Sequence, residues 1–450
     1  MSSDLLGIGA SGVSAYRTAL GAIGDNVANA ETPGYARREV RLTESAIVKG
    51  RSAVYKEQLY FGGVEAATVG RAWDEFRAAD SRLSASAFGR ADTRVQWLGA
   101  VETALDDGPT GIGTAIGGFF NSAALLAAAP DDVMGRSQML ASLDGAAGAI
   151  RNTADALRRV SEGIGNAAAL EVEGLNADLA ALGNVNVALQ QSAPGRVSRA
   201  SLEDERDRII DSISKRIDIS ASIGENGVAT LTLSRATGIT LSEPGLRAVA
   251  KLEVAADGRL SLSLAANGTI VPLPASGGSL AGLTDIAAST ADKRASVEAI
   301  ATDFMTMVND WSAQGLTPAG VAGAPLLAMT AGAATLAAVT TDPAAIAAES
   351  ADGRANGNLV ALTALRGVDG AEARWAALVA FNAQSLAAAR SEASAASTRR
   401  DNSFAARDEI TGVDLDREAA ELIRYQQAYN GSAKIIQVAR ETMQAILDIF

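Results

Sequence analysis

Cysteine and histidine are both missing from this 450-residue chain. Their absence removes thiol nucleophiles, histidine-based triads and nearly every zinc site. It also means that no disulfide can form early or wrongly. Aromatic residues make up 4% of the chain, too few for one bulky aromatic core. Positive charge is short as well: 39 Lys and Arg against 52 Asp and Glu leave a formal charge of −13. A nucleic-acid backbone needs a basic face, and this balance argues against one. The local basic group Arg37, Arg38, Arg41, Lys49 and Arg51 is interrupted by Glu39 and Glu44, and reads as a solvated loop or a protein-contact surface. The stretch from Gly111 to Pro130 carries no charge, but glycines, Asn121 and Ser122 break it. Ile112, Ile116, Phe119, Ala123 and Leu126 share one helical face there, so a buried amphipathic helix is the reading rather than a membrane span. Met1-Ser-Ser-Asp4 lacks the basic region and apolar run of a cleaved secretory signal.

What the chain has is alanine, glycine and helical periodicity. Residues 3–30 read as a helix that Thr32-Pro33-Gly34 ends, because proline disfavours helix at the residue before it. An extended polar stretch follows to about Val69, with Gly62-Gly63 expected as a turn. Helical spacing runs from Ala72 to Gln191, broken at Asp106–Pro109 and at Pro130. A helix over 202–216 hands over to alternating runs with turns at Asn226-Gly227, Asp257-Gly258 and Asn267-Gly268. Helix returns over 290–312, a strand is expected at 335–341, and helices fill the chain from Gly357 onward. The fold class is therefore mainly α: an elongated helical bundle with paired terminal coiled-coil helices and an inserted antiparallel β module. Its expected units are 1–70 with 405–450, 71–216 with 286–404, and a β module over 217–285.

Both ends carry a seam of three–four steps. In front it is Leu6, Gly9, Val13, Tyr16, Leu20, Ile23 and Val27. Behind it is Leu422, Tyr425, Tyr429, Ser432, Ile436, Ala439, Met443, Ile446 and Phe450. Steps averaging 3.5 residues keep one stripe facing a partner helix. The front helix holds Gly7, Gly9, Gly12, Gly21 and Gly24, each costing up to ~1 kcal/mol of helicity relative to alanine. Such a segment needs neighbours to be helical, and both seams read as packing between copies of the chain.

The run Asn26-Val-Ala-Asn29-Ala-Glu-Thr32-Pro33-Gly34-Tyr35 resembles the N-terminal signature of bacterial flagellar axial proteins. The tail from Gly412-Val-Asp414-Leu-Asp416-Arg-Glu418 into Arg424-Tyr425-Gln426-Gln427-Ala-Tyr429 resembles their C-terminal one. Phe119-Phe120, Ala129-Pro130-Asp131, Leu202-Glu-Asp204-Glu205-Arg206-Asp207, Gly277-Gly278-Ser-Leu280, Val308-Asn309 and Gly323-Ala-Pro325-Leu326 follow in the order of the FlgK family of hook-associated proteins. That resemblance implies a structural, non-enzymatic part of the hook–filament junction. It implies a ring of copies that meets the hook protein and the second hook-associated protein. It also implies export by the flagellar type III apparatus with a dedicated chaperone, to an extracellular place on the flagellum. A rod or hook subunit shares the terminal signatures, and a secreted hydrolase on flagellar-type ends is a further alternative.

The remaining motifs read as structure. Gly7-Ile-Gly9-Ala-Ser-Gly12 matches the dinucleotide glycine pattern, but six residues leave no room for the strand that pattern needs. Close helix packing is the better reading. Asp414, Asp416 and Glu418 lack the glycine and distal glutamate of a calcium loop and suit a helix start. Glu203, Asp204, Arg206 and Asp207 read as a charged first helical turn. No catalytic, cofactor or metal residue is assigned. The expected site is an assembly interface of Leu6, Val13, Tyr16, Leu20, Ile23, Asn26, Val27, Asn29, Thr32, Pro33, Gly34, Tyr35, Leu422, Tyr425, Gln426, Tyr429, Ile436, Met443, Ile446 and Phe450.

Overall fold

Helix caps divide the chain where the sequence offers them. The computed structural model describes residues 2–49, 58–193, 195–234, 239–243, 246–266, 269–274, 277–367 and 370–448. Helix α1 (Ser2–Ala28) leads into an antiparallel hairpin, β1 (Arg38–Lys49) and β2 (Gln58–Arg71). Asp74 caps α2 (Glu75–Ala104), accepting from the Arg77 amide at 2.9 Å. The uncharged stretch forms α3 (Ile112–Ala128), burying Ile112, Ile116, Phe119, Ala123 and Leu126. Asp132 accepts from the Met134 and Gly135 amides and starts α4 (Val133–Gln191), a helix of 59 residues. At 1.5 Å per residue that is roughly 90 Å of straight support. Helix α5 (Val197–Arg216) begins earlier than its apolar spacing indicates. Among the described residues, no helix is long and apolar enough to cross a membrane.

The β module is two antiparallel sheets: β3 (Ile219–Ile223), β4 (Ala229–Leu233), β5 (Thr240–Glu243) and β6 (Leu246–Arg247), then β7 (Val249–Val254), β8 (Leu260–Ala266) and β9 (Thr269–Pro272). Turns stand at Asn226-Gly227 and Asp257-Gly258, whereas Asn267-Gly268 lies outside the described residues. Two amides on α4 pin the sheets. Asn186 exchanges both hydrogen bonds with the backbone of Ala229, and Asn176 does the same with Ala250. Helices α6 (Gly278–Gln314), α7 (Gly357–Ala364), α8 (Ala371–Thr411) and α9 (Leu415–Leu447) complete the chain.

Three expectations change. Residues 278–285 are the first turns of α6, not strand, because Leu280, Leu283 and Ile286 already turn to one buried side. The expected strand at 335–341 shrinks to a two-residue bridge at Ala337–Ala338. Gly62-Gly63 is not a hairpin turn. The register shifts between Glu44 and Ala46, opposite these glycines, so they form a bulge within β2. Gly63 sits at φ 93°, where its bare backbone lies against Ser11 of α1.

Three apolar clusters form among the described residues. The largest joins α3, α4, α6 and α8 through Phe119, Ile150, Phe304 and Trp375. A second seats the β module on α4 and α5 through Leu175, Leu182, Ile210 and Leu231. A smaller third lies around Leu98, Ile164, Ile286 and Leu386.

Gly278 closes the seam between α6 and the end of α5. Its φ is +73°, and an added Cβ would stand 2.2 Å from the Arg216 carbonyl carbon. Gly278→Ala is expected to cost about 3 kcal/mol or more, since neither backbone can yield. Gly320→Ala is the control: φ is +72° there too, but open space surrounds it. Its cost should stay near 1–2 kcal/mol. Thermal melts of both variants by circular dichroism test the difference, and equal losses would place the whole effect in φ.

Candidate functional site: the terminal helix pair and its joint

Helices α1 and α9 pack on each other within one chain, and they run antiparallel. Gly9 lies against Ile436, Gly12 against Ser432, Tyr16 against Tyr425 with ring centroids 6.1 Å apart, and Asn26 against Glu418. Small residues bring the backbones close: an added Cβ would stand 2.6 Å from Ile436 Cγ1 at Gly9 and 2.4 Å from Ser432 Oγ at Gly12. Two glycines of the dinucleotide-like pattern thus serve helix packing, while Gly7 faces open space.

The expected seams land unequally. On α9, Leu422, Tyr425, Tyr429 and Ile436 are half-buried, Ser432 and Ala439 are buried, and Met443 is 36% exposed. Gln426 is exposed. The side chain of Ile446 and the whole of Phe450 lie outside the described residues. On α1 the most buried positions are Gly9, Gly12, Ala15, Ala19, Ala22, Ile23 and Asn26. Leu6, Val13, Tyr16 and Leu20 are half-buried, and Val27 is 47% exposed. Gly9 and Tyr16 of the front seam meet α9, and Gly12, outside that seam, meets it as well because its missing Cβ admits Ser432. Outside the pair, α9 keeps a second apolar stripe of Ile423, Ile435 and Val438, 56%, 38% and 46% exposed.

At its far end the pair is tied to the signature segment through Asn26. Its Nδ2 donates to the Arg38 carbonyl and to Glu418 Oε2, both at 3.1 Å. Its Oδ1 accepts from the Arg38 amide at 2.7 Å and from the Tyr35 hydroxyl at 2.8 Å. One buried side chain therefore joins α1, the segment after it and α9. Asn29 donates to the Asp25 carbonyl and accepts from the Thr32 hydroxyl, closing the turn. Thr32, Pro33 and Gly34 are exposed, and Gly34, at φ +76°, lets the Arg208 side chain lie across it.

Beside this cluster stands a ridge of carboxylates. Asp204, Asp207 and Asp211 follow i, i+3, i+7 spacing and share one face of α5. Arg38 reaches Asp204 at 2.6 Å, and Arg71 pairs with Asp204 at 3.0 Å and with Asp207. Arg82 from α2 bridges Asp207 at 3.2 Å and Asp211 at 2.8 Å. Arg407 from α8 takes Asp211 at 2.7 Å, while Arg206 forks onto Asp207. Trp73 lies under the Arg71 and Arg82 guanidinium groups. Burial pushes the Asp204 carboxyl up, against the pull of Arg38 and Arg71, and burial likewise pushes Arg206 down. Because α5 starts at Val197, the charged run 203–207 lies inside the helix rather than in its first turn, with Asp204, Arg206 and Asp207 buried, and Arg37 and Arg38 are buried rather than in a solvated loop. Sequence reading missed Arg71, Arg82, Asp211 and Arg407. The i, i+3, i+7 acids were the available signal, but their partners come from distant segments. Among the described residues, no group of three acidic side chains could hold a metal ion.

Two outcomes follow from this geometry. Asp207→Asn leaves Arg71, Arg82 and Arg206 short of a buried counter-charge, and should cost about 3–5 kcal/mol in chemical unfolding. A loss under about 1 kcal/mol would mean that water screens the ridge as it does surface pairs. Burial, opposed by Arg38, pushes the Tyr35 hydroxyl up to about 12 from 10.0. A raised value means that the neutral phenol's stabilisation is whole below pH 10 and is lost as pH climbs towards 12. An alkaline absorbance titration of Tyr35→Phe should therefore lack a phenolate step near pH 12. A step at that pH that persists in the variant would show that the Tyr35 hydroxyl is not held up by burial.

Comparison with known proteins agrees with this architecture. The model for the flagellar hook-associated protein FlgK helical domain matches residues 98–327, more than half of the chain. The flagella basal body rod protein model matches 6–35, and the flagellar basal body rod FlgEFG C-terminal model matches 406–449. Flagellar hook-associated protein 1 of Bacillus subtilis is 24% identical over 97% of this chain and 96% of its own length. The protein of the same name from Salmonella typhimurium is 22% identical, over 53% of this chain and 42% of its own. The flagellar hook junction protein FlgK of Burkholderia pseudomallei shares the fold with a TM-score of 0.51 at 18% identity, over 56% of this chain and 47% of that one. These last two matches span less than half of the relative's length. With a helical domain between rod-type ends, the chain belongs to the FlgK family of flagellar hook-associated proteins.

Proposed function

We propose that this chain is a structural component of the flagellar hook–filament junction, assembling through its terminal helices into a ring that adapts the hook to the filament. The observation that carries the reading is the α1–α9 pair. Its inner seam is satisfied within the chain, yet α9 still presents Ile423, Ile435 and Val438 outward, with Leu415 and Val27 also exposed. An apolar stripe beside a finished pair is suited to a further helix, here that of a neighbouring copy. The interface would then join these outward residues to the seam residues of the sequence reading, of which Tyr16, Tyr425 and Ile436 hold the pair together.

Partners follow from membership of the family: the hook protein on one side, the second hook-associated protein on the other, and an export chaperone for the apolar tail before assembly. The chain acts by shape, without chemistry, outside the cell and after type III export. A rod or hook subunit shares the end segments, but the FlgK-type helical domain between them favours the junction.

Two experiments test this. Deleting the gene should leave hooks without filaments by electron microscopy; normal filaments would overturn the reading. Within the protein, Val438→Asp should leave the monomer's melting curve nearly unchanged while abolishing incorporation at the hook tip. Ile436→Asp should instead loosen the α1–α9 pair, since a carboxylate there meets the Gly9 backbone with no counter-charge. Equal melting losses for the two would mean that the outward stripe is not a free surface.

A further inference from the structure

The helix pair and the hairpin form one unit. Strand β2 lies along α1, where the Val64 amide donates to Ser11 Oγ at 3.2 Å and Gly62 and Gly63 rest on Ile8 and Ser11. None of the three apolar clusters includes a described residue of α1, the hairpin or α9. The terminal unit therefore meets the helical domain mainly through polar contacts. These are the Arg38 and Arg71 pairs to α5, the Arg37 amide to the Thr411 carbonyl at 2.8 Å, and the Val69 amide to the Gly195 carbonyl at 3.2 Å. Two short connections cross the same gap, residues 72–74 and 412–414.

We propose that the Asp204–Asp207–Asp211 ridge of α5 is a lock that sets the angle between the terminal unit and the helical domain, with the hairpin as its lever. The inference deepens the adaptor reading, on which it rests for its purpose. A polar seam between two rigid bodies permits relative motion where an apolar one would not. The ridge has the redundancy such a joint needs. Arg71 spans Asp204 and Asp207 and stands 3.8 Å from Glu203, while Arg82 spans Asp207 and Asp211. A guanidinium leaving one rung thus meets another, so no buried charge is stranded when the angle changes. Arg82 and Arg407 keep the ridge fixed to α2 and α8, so the motion belongs to the hairpin side.

The absence of cysteine allows spin labels to be placed singly. Labels at R17C on α1 and S394C on α8, both exposed positions, measure the angle as a distance distribution. The variant R38M/R71M/D204N removes the hairpin's pairs while Asp207 keeps Arg82 and Arg206. The parent chain should give one narrow distribution, and the triple variant one at least twofold wider or displaced, with unchanged helical circular dichroism. R158M, at an exposed pair on α4, should leave the width alone. An unchanged width in the triple variant would overturn the lock, as would equal broadening by R158M. Loss of helix in the triple variant would also overturn it, since the ridge would then be a folding element. The distances are read on purified protein, so the result stands whatever the filament assay gives.

Discussion

Buried charge is the constraint from which the rest of this architecture follows. Carboxylates taken out of water must be matched, and the match here is made by arginines from β1, β2, α2 and α8. Geometry is thereby set at a joint where no described residue of the terminal unit belongs to an apolar cluster. Desolvation is the opposing cost, visible in the upward push on Asp204 and the downward push on Arg206. Apolar residues of the same volume would hold such a joint more tightly, and would also hold it in a single arrangement.

Either side of that joint obeys different packing rules. The helical domain is a conventional apolar core, with Phe119 edge-on to Phe304 at 5.8 Å and the 59-residue α4 as its spine. The terminal pair is built on closeness, with Gly9 and Gly12 admitting α9. Within the terminal unit, Asn26 of α1 supplies to the segment after it and to α9 what a backbone would otherwise have to supply. Its planar amide donates from one end and accepts at the other.

Helix was legible wherever one apolar stripe faced one core, as in α3, whose five expected core residues are all buried. The contact of α1 with α9 was legible only in part: Gly9 and Tyr16 lie on the three–four seam, whereas Gly12 does not, because close approach is marked by a lack of bulk. The ridge illustrates a different limit. Asp204, Asp207 and Asp211 are patterned within one helix, but Arg38 and Arg407 lie far from them in sequence, and nothing local records the pairing. Gly62-Gly63 had the composition of a turn, and only the register of the neighbouring strand makes it a bulge.

The contact between Asn26 and Glu418 joins residues 392 positions apart. Contacts of such separation form late, because the loop they close must first be ordered. A glycine-rich α1 has little helicity of its own while it waits. The helical domain can thus condense first, with the ends following once α9 is in place. A copy lacking α9 would carry a folded body but leave α1 without the surface that orders it. Pairing the two termini therefore makes the folding of the first segment report on the presence of the last.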